Sequence, residues 1–205
     1  MNTKERILET SIDMFAERGY SAVSIREITR AVGIKESSLY NHFASKQQIF
    51  DDILEYMQTQ VGRITVTEEE AAAAIAAMTL EQFLALGAQN MRLYFGNPTF
   101  VKVWRILSQE KYHNEKAAEL FQKYLLHDPI EYQSKVFALM MEQGQIRRMN
   151  PVHLAREFYS PLLYLYLRYV ELDTTGAAAD GPEINEVLQA HLTFMVDAMK
   201  PRADE

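Results

Sequence analysis

The chain has 205 residues, 48% hydrophobic and 24% charged, with a formal net charge of -7 and no cysteine. That length can bury one full-sized core or two small ones, and the lack of thiols excludes disulfides, cysteine nucleophiles and Cys-ligated zinc or iron–sulfur sites. The acidic total argues against a general polyanion binder, yet residues 1–50 carry net +1, residues 51–205 net -8 and Arg18 to Gln48 a local +3. Any phosphate-binding surface is therefore expected near the N-terminus.

The opening "MNTKERILETSIDMF" lacks the apolar run and small-residue cleavage site of a secretory signal, so a cytoplasmic protein is expected. The longest strongly apolar run, Leu162 to Leu167, stops at Arg168, far short of the roughly 20 residues of a membrane span. No membrane partner is expected.

Helix start and stop signals recur along the chain and strand-like alternation does not, which predicts an all-α fold of about nine to ten helices. The first helix runs from about Thr3 to Arg18, with Leu8, Ile12 and Phe15 on one face and Gly19 as its stop. "SIRE", Ser24 to Glu27, is a capping box flanked by Val23 and Ile28 as a staple, and Gly33 ends that short helix. A third short helix covers "KESSLYNHF", residues 35–43, and Ser45 with Gln48 caps a fourth that runs to about Gly62. "TEEEAAAAIAAM" is biased in composition but reads equally as helix or loop. Thr79 with Gln82, and Met78 with Phe83, open a helix to about Phe95. Asn97-Pro98, Asp128-Pro129 and Asn150-Pro151 each read as an N-cap followed by proline at the first helical position. "TTGAAADGP" is a turn-rich connector before a last helix from about Pro182 to Met199.

Three helices with a glycine turn between the second and third fit a helix-turn-helix unit, in which the later helix enters the major groove; a plain helical hairpin fits the same spacing. The residues of the third helix favour the first. Leu39 and Phe43 lie four apart and anchor one face, while Glu36, Ser37, Ser38, Tyr40, Asn41 and His42 fall elsewhere. Short hydroxyls and amides above an apolar anchor suit contact with base edges and phosphates.

At these residues the chain resembles a known family. "VSIREITRAVGIKESSLYNHFASKQQIFDDIL", residues 23–54, is similar to the DNA-binding domain of TetR-family transcriptional regulators, with a Ser/Thr-capped second helix, a glycine turn, an "LY-x-HF" third helix and an "SK" start to the fourth. The resemblance implies that Ser24 and Arg26 touch phosphate, that Ser37, Ser38, Asn41 and His42 face bases or the sugar backbone, and that Tyr40 and Lys46 clamp phosphates. Lys35 stands where the family commonly has a serine cap, and lysine caps poorly. Glu36 replaces a basic or small residue; it suits either a cytosine amino group or the helix N-terminus itself.

The rest of the chain divides from this domain at about residue 60, giving 1–60 for DNA binding and 61–205 for ligand binding and dimerisation. Aromatic and methionine residues crowd between 91 and 166; most must be core, and together they suit an apolar cavity. The resemblance implies a small-molecule effector there, with Trp104, Tyr124, Phe137, Met141, Phe158 and Tyr166 as candidate lining. His113 and His127 have no second ligand one helical turn away, so no metal and no cofactor is expected. The last two helices carry apolar stripes, Leu154, Phe158, Leu162, Leu165 and Tyr169 on one, Ile184, Leu188, His191, Leu192, Met195 and Met199 on the other. Intramolecular packing accounts for such stripes; a homodimer through a four-helix interface accounts for them too, and doubles the DNA contacts by symmetry. No Ser-His-Asp, metal or phosphate-loop signature appears, so an enzyme is not expected. The expected function is a homodimeric repressor on a palindromic double-stranded DNA operator, released by a small apolar or amphipathic effector; the alternative is a regulator of the same fold controlled by a protein partner or without effector.

Overall fold

The computed structural model describes residues 1–64, 67–168 and 182–201. In chain order the helices are α1 (Thr3–Arg18), α2 (Ile25–Val32), α3 (Glu36–Tyr40), α4 (Lys46–Ile64), α5 (Glu68–Ala77), α6 (Leu80–Phe95), α7 (Pro98–Glu110), α8 (Glu115–Gln122), a π-helical turn (Lys123–His127), α9 (Asp128–Glu142), α10 (Pro151–Tyr166) and α11 (Pro182–Met199). The fold is all-α as expected, with no strand among the described residues. The helices fall into two units.

The first unit is Met1–Arg63 with Pro98–Gln122. Its helix ends are set locally. The Asn2 side chain accepts from the Glu5 amide at 2.9 Å while the Glu5 carboxylate accepts from the Asn2 amide at 2.8 Å, which satisfies two orphan donors at once. The Ser24–Glu27 box closes the same way, and the staple residues Val23 and Ile28 are both buried. Gly33, at φ +78°, sends its amide back to the Thr29 carbonyl, a left-handed stop that a side chain would strain. Ser45 accepts from the Gln48 amide at 3.1 Å, but the Gln48 side chain reaches the Ala44 amide instead of closing on Ser45.

Ile7, Phe15, Ile28, Leu39, Phe43, Phe50, Ile53 and Leu54 form the centre of this unit, each at most 1% exposed; burying each such side chain contributes about 1.5–3 kcal/mol. The segment Pro98–Gln122 clusters here, whereas the division at residue 60 assigns it to the C-terminal domain. The reason is tertiary. α7 packs along α1 with Val103, Ile106 and Leu107 fully buried, and an apolar face does not say which helix it will meet.

The second unit is Ile64–Asn97 with Lys123–Glu205. "TEEEAAAAIAAM" resolves as helix: Thr67 and Glu70 make a reciprocal box at 3.2 and 2.8 Å, and α5 buries Ala71 and Ile75. Thr79 and Gln82 open α6 as expected, at 3.3 and 2.9 Å. Asn150 caps α10 by accepting from the His153 amide at 3.0 Å. Asp128 is no N-cap: the π-helical turn carries the chain on, His127 takes the cap position without a side-chain bond, and Asp128 is already helical. Tyr159 steadies that turn by donating its hydroxyl to the Leu125 carbonyl at 2.8 Å; burial raises the Tyr159 pKa, so it stays a donor. Arg147 closes the end of α11, donating from Nε to the Ala198 carbonyl at 2.8 Å and from its amide to Met199 at 3.0 Å. Apolar side chains of α5, α6, α9, α10 and α11 meet in one cluster, including Ile75, Leu84, Phe137, Met140, Leu154, Leu165, Leu188 and Met195. No helix among the described residues is long and apolar enough to cross a membrane.

Candidate nucleic-acid interface

α3 has only five residues and owes its stability to anchoring. Lys35 sits at its N-cap without a side-chain bond, in keeping with the poor capping expected of lysine. Leu39 and Phe43, at 0% and 1% exposure, fasten one face to the core. The other face is wet. Lys35, Glu36, Ser37, Tyr40, Asn41 and His42 are exposed, Tyr40 to 53%, and Ser38 is half-buried. A large aromatic left in water beside an amide and an imidazole, at the tip of a rigidly anchored turn, is a surface prepared to stack and to hydrogen-bond.

α2 adds charge. Arg26 and Arg30 are exposed, and among the described residues neither they nor Lys35 is tied up in an ion pair. Arg18 is engaged, at 2.7 Å from the Glu27 carboxylate. Glu27 is held down to about 2, first by the Ser24 hydroxyl and amide that donate to it and then by Arg18. Ser24 is exposed, but its hydroxyl donates to Glu27 at 2.7 Å, so a phosphate there must compete with the cap.

Lys46 departs from the phosphate clamp expected of it. Its Nζ turns inward and donates to the carbonyls of Tyr20 and Val23, each at 2.8 Å, with the ammonium 4.1 Å from the Tyr20 ring centroid. Burial lowers its pKa, against the opposing pull of Glu110 and Glu27. Two of its three donors are therefore spent on the protein itself. Glu110, missed by sequence reasoning, lies on the same turn: 6% exposed, it accepts from the Tyr20 amide at 3.0 Å. No local signal marks it, because its partner lies ninety positions away in sequence.

The candidate ligand residues divide between the two units, Trp104 in the first and the other five in the second. Phe137 and Phe158 meet edge to face at 5.7 Å in the second unit, with Met141 partly buried against the same cluster. Tyr166 is buried and Tyr124 half-buried, with the Lys123 ammonium 5.5 Å from the Tyr124 ring. Trp104 belongs to the first unit, between Phe100 and Phe121 at 5.8 and 6.1 Å, and is core there. Among the described residues no group of His, Asp and Glu is arranged to hold a metal ion.

The candidate dimer stripe is also corrected. Leu154, Leu162, Leu165, Ile184, Leu188, Leu192, Met195 and Met199 are each at most 9% exposed within the single chain, because α10 and α11 turn these faces onto their own unit. Phe158 is half-buried, and its carbonyl lies 2.8 Å from His191 Nε2. Tyr169 lies outside the described residues. Among the described residues, the large apolar side chains left in solvent on α10, its C-cap and α11 are Val152, Tyr164, Leu167, Val187 and Phe194, the last 67% exposed.

A short anchored helix with a polar exposed face, preceded by a capped helix and a glycine turn, defines a helix-turn-helix domain. Residues 7–53 match the model of the family described as bacterial regulatory proteins, tetR family, and this N-terminal domain belongs to that family. The HTH-type transcriptional repressor KstR2 of Mycobacterium tuberculosis is 48% identical over 48 residues, 23% of this chain and 24% of that protein, so the match spans about a quarter of the relative's length. A TetR-family protein of known structure from Mesorhizobium loti superposes with a TM-score of 0.67 at 17% identity, over 97% of both chains. A transcriptional regulator from Saccharomonospora viridis, solved in complex with choline, gives a TM-score of 0.65 at 21% identity, over 97% of this chain and 98% of that one. At these identities the structural likeness extends the shared fold, and only the fold, to the whole chain.

Proposed function

We propose that the chain is a DNA-binding transcriptional regulator that acts as a repressor and as a homodimer. The observation that carries this is the exposed run Ser37, Tyr40, Asn41 and His42 on an anchored α3 within a tetR-family domain. In this reading Arg26, Lys35 and Ser24 meet phosphates, Tyr40 stacks or bonds along the backbone, and Ser37, Ser38, Asn41 and His42 with Glu36 read bases. A single α3 makes few contacts, so two copies on a palindrome supply the affinity, with half-sites about 34–36 Å apart or a multiple of it. The division into an N-terminal DNA-binding domain and a C-terminal regulatory domain belongs to the same reading, with Pro98–Gln122 joined to the former.

The dimer face is reassigned to the solvent side of α10 and α11, where Tyr164, Leu167, Val187 and Phe194 stand exposed. Surface aromatics of this size on one pair of helices suit an isologous contact. The effector is a small apolar or amphipathic molecule held in the second unit near Phe137, Met141 and Phe158, and release from the operator follows from its tighter binding to the conformer that does not hold DNA. A structural neighbour was solved in complex with choline, so the fold accommodates small molecules.

Selection of bound fragments from random duplexes tests the reading: enrichment of a palindromic site is expected, and retention of no duplex at low salt rejects it.

A further inference from the structure

We propose that Glu110, the last residue of α7, is a positioning residue for DNA binding: through Tyr20 it fixes the orientation in which α2 and α3 present their exposed side chains. The inference rests on the DNA-binding reading above. α7 holds α1 at two points and the turn that follows it at a third. Lys102 Nζ lies 2.7 Å from Asp13, Gln109 donates to the Ala16 carbonyl at 3.2 Å, and Glu110 accepts from the Tyr20 amide at 3.0 Å. The first pair is exposed and holds little. The last is a 6%-exposed carboxylate on a main-chain donor, a part-buried bond with a charged acceptor, and the loss of it leaves an N–H without that partner.

Tyr20 is the node of the arrangement. Its ring packs on Phe15 at 5.3 Å and Phe50 at 4.9 Å, its hydroxyl donates to Gln47 at 3.1 Å, and its carbonyl accepts from Lys46 at 2.8 Å. Lys46 is the first residue of α4, directly beyond α3, and its second bond goes to Val23, the residue before the α2 cap. One residue thus receives a carboxylate at its N–H and an ammonium at its C=O, and the ends of α1, α2, α4 and α7 converge on it. Any change in how α7 lies on α1 is felt at the base of the α2–α3 pair, while none of these groups needs to touch DNA. Such a device alters affinity without altering the number of phosphates contacted, which separates it from a direct contact.

The test uses the full-length chain, a duplex selected with the wild type, and fluorescence anisotropy across a salt series, alongside thermal melts. Glu110→Ala is expected to bind about tenfold more weakly with an unchanged slope of log affinity against log salt, and Glu110→Gln, whose amide oxygen still accepts from Tyr20, to recover most of the loss. Glu110→Asp keeps the charge but falls one methylene short, and is expected to bind as weakly as Glu110→Ala; it decides the matter where alanine does not fold. Equal affinity of wild type and Glu110→Asp, or no rescue by glutamine, overturns the inference while the DNA-binding reading stands. A slope changed by about one unit overturns it, because the substitution then changes how many phosphates the basic side chains hold rather than how α2 and α3 are posed. A wild type that retains no duplex overturns both.

Discussion

The Lys46 ammonium lies 4.1 Å from the Tyr20 ring centroid and donates to the carbonyl of that same tyrosine at 2.8 Å. Cation–π attraction and a charge-assisted hydrogen bond thus act on one residue, and the Val23 carbonyl at 2.8 Å takes a further donor. Lys46→Ala is expected to destabilise the chain by about 2 kcal/mol, since it leaves two carbonyls to find other partners, and a thermal or urea melt reads this directly. An unchanged melt with a salt slope reduced by about one unit would instead restore Lys46 to the phosphates.

Exposure separates the residues of α3 from that scaffold. Tyr40→Ala and His42→Ala are expected to cost about 1–3 kcal/mol of affinity for a selected duplex while the melting temperature holds, because both side chains stand in solvent. Arg26→Ala is expected to weaken binding to all duplexes alike and to reduce the salt slope by about one unit. Loss of sequence preference in Arg26→Ala would move that residue from phosphates to bases.

Two substitutions on α11 separate the interface from the core. Phe194→Glu, at a position 67% exposed, is expected to yield a folded monomer by analytical ultracentrifugation. Met195→Ala, at a position 2% exposed, is expected to lower stability by about 2–5 kcal/mol with the dimer retained until unfolding. A Phe194→Glu variant that remains dimeric would move the interface elsewhere.

His191 carries a pH dependence of defined sign. Burial lowers its pKa below the usual 6.5, the Phe158 carbonyl only partly opposing this, so the folded chain takes up its proton later than the unfolded one. Stability from this site is complete above 6.5 and falls as pH drops through the window below it. Melts from pH 7.5 down to about 5 are expected to show this loss, and His191→Gln to flatten the part of it that belongs to this site. An unaltered profile in the variant would assign the acid sensitivity to the carboxylates.

What the sequence made legible was whatever a few neighbouring residues decide. The Ser24–Glu27 and Thr79–Gln82 boxes, the Asn150 cap and the Gly33 stop are each settled within one turn of chain. The Thr67–Glu70 box carried the same signal, but the alanine run behind it masked the periodicity by which a helix is recognised. Periodicity marked Leu188, Leu192 and Met195 as one apolar face without revealing that it turns inward, since a core and a dimer seam impose the same spacing. The exposed neighbours Val187 and Phe194 were passed over for that reason. Lys46 and Glu110 were opaque because their partners arrive from distant segments, and Lys46, a lysine beside a DNA-binding motif, is by default read as facing the DNA.

The single tryptophan, Trp104, is 3% exposed and sits on α7, six positions before Glu110, with Phe100 and Phe121 about its ring. The chain thus contains a built-in optical gauge on the helix that ends at the Tyr20 turn. Ultraviolet emission from unlabelled protein would follow that helix as nucleic acid or a small molecule is titrated in.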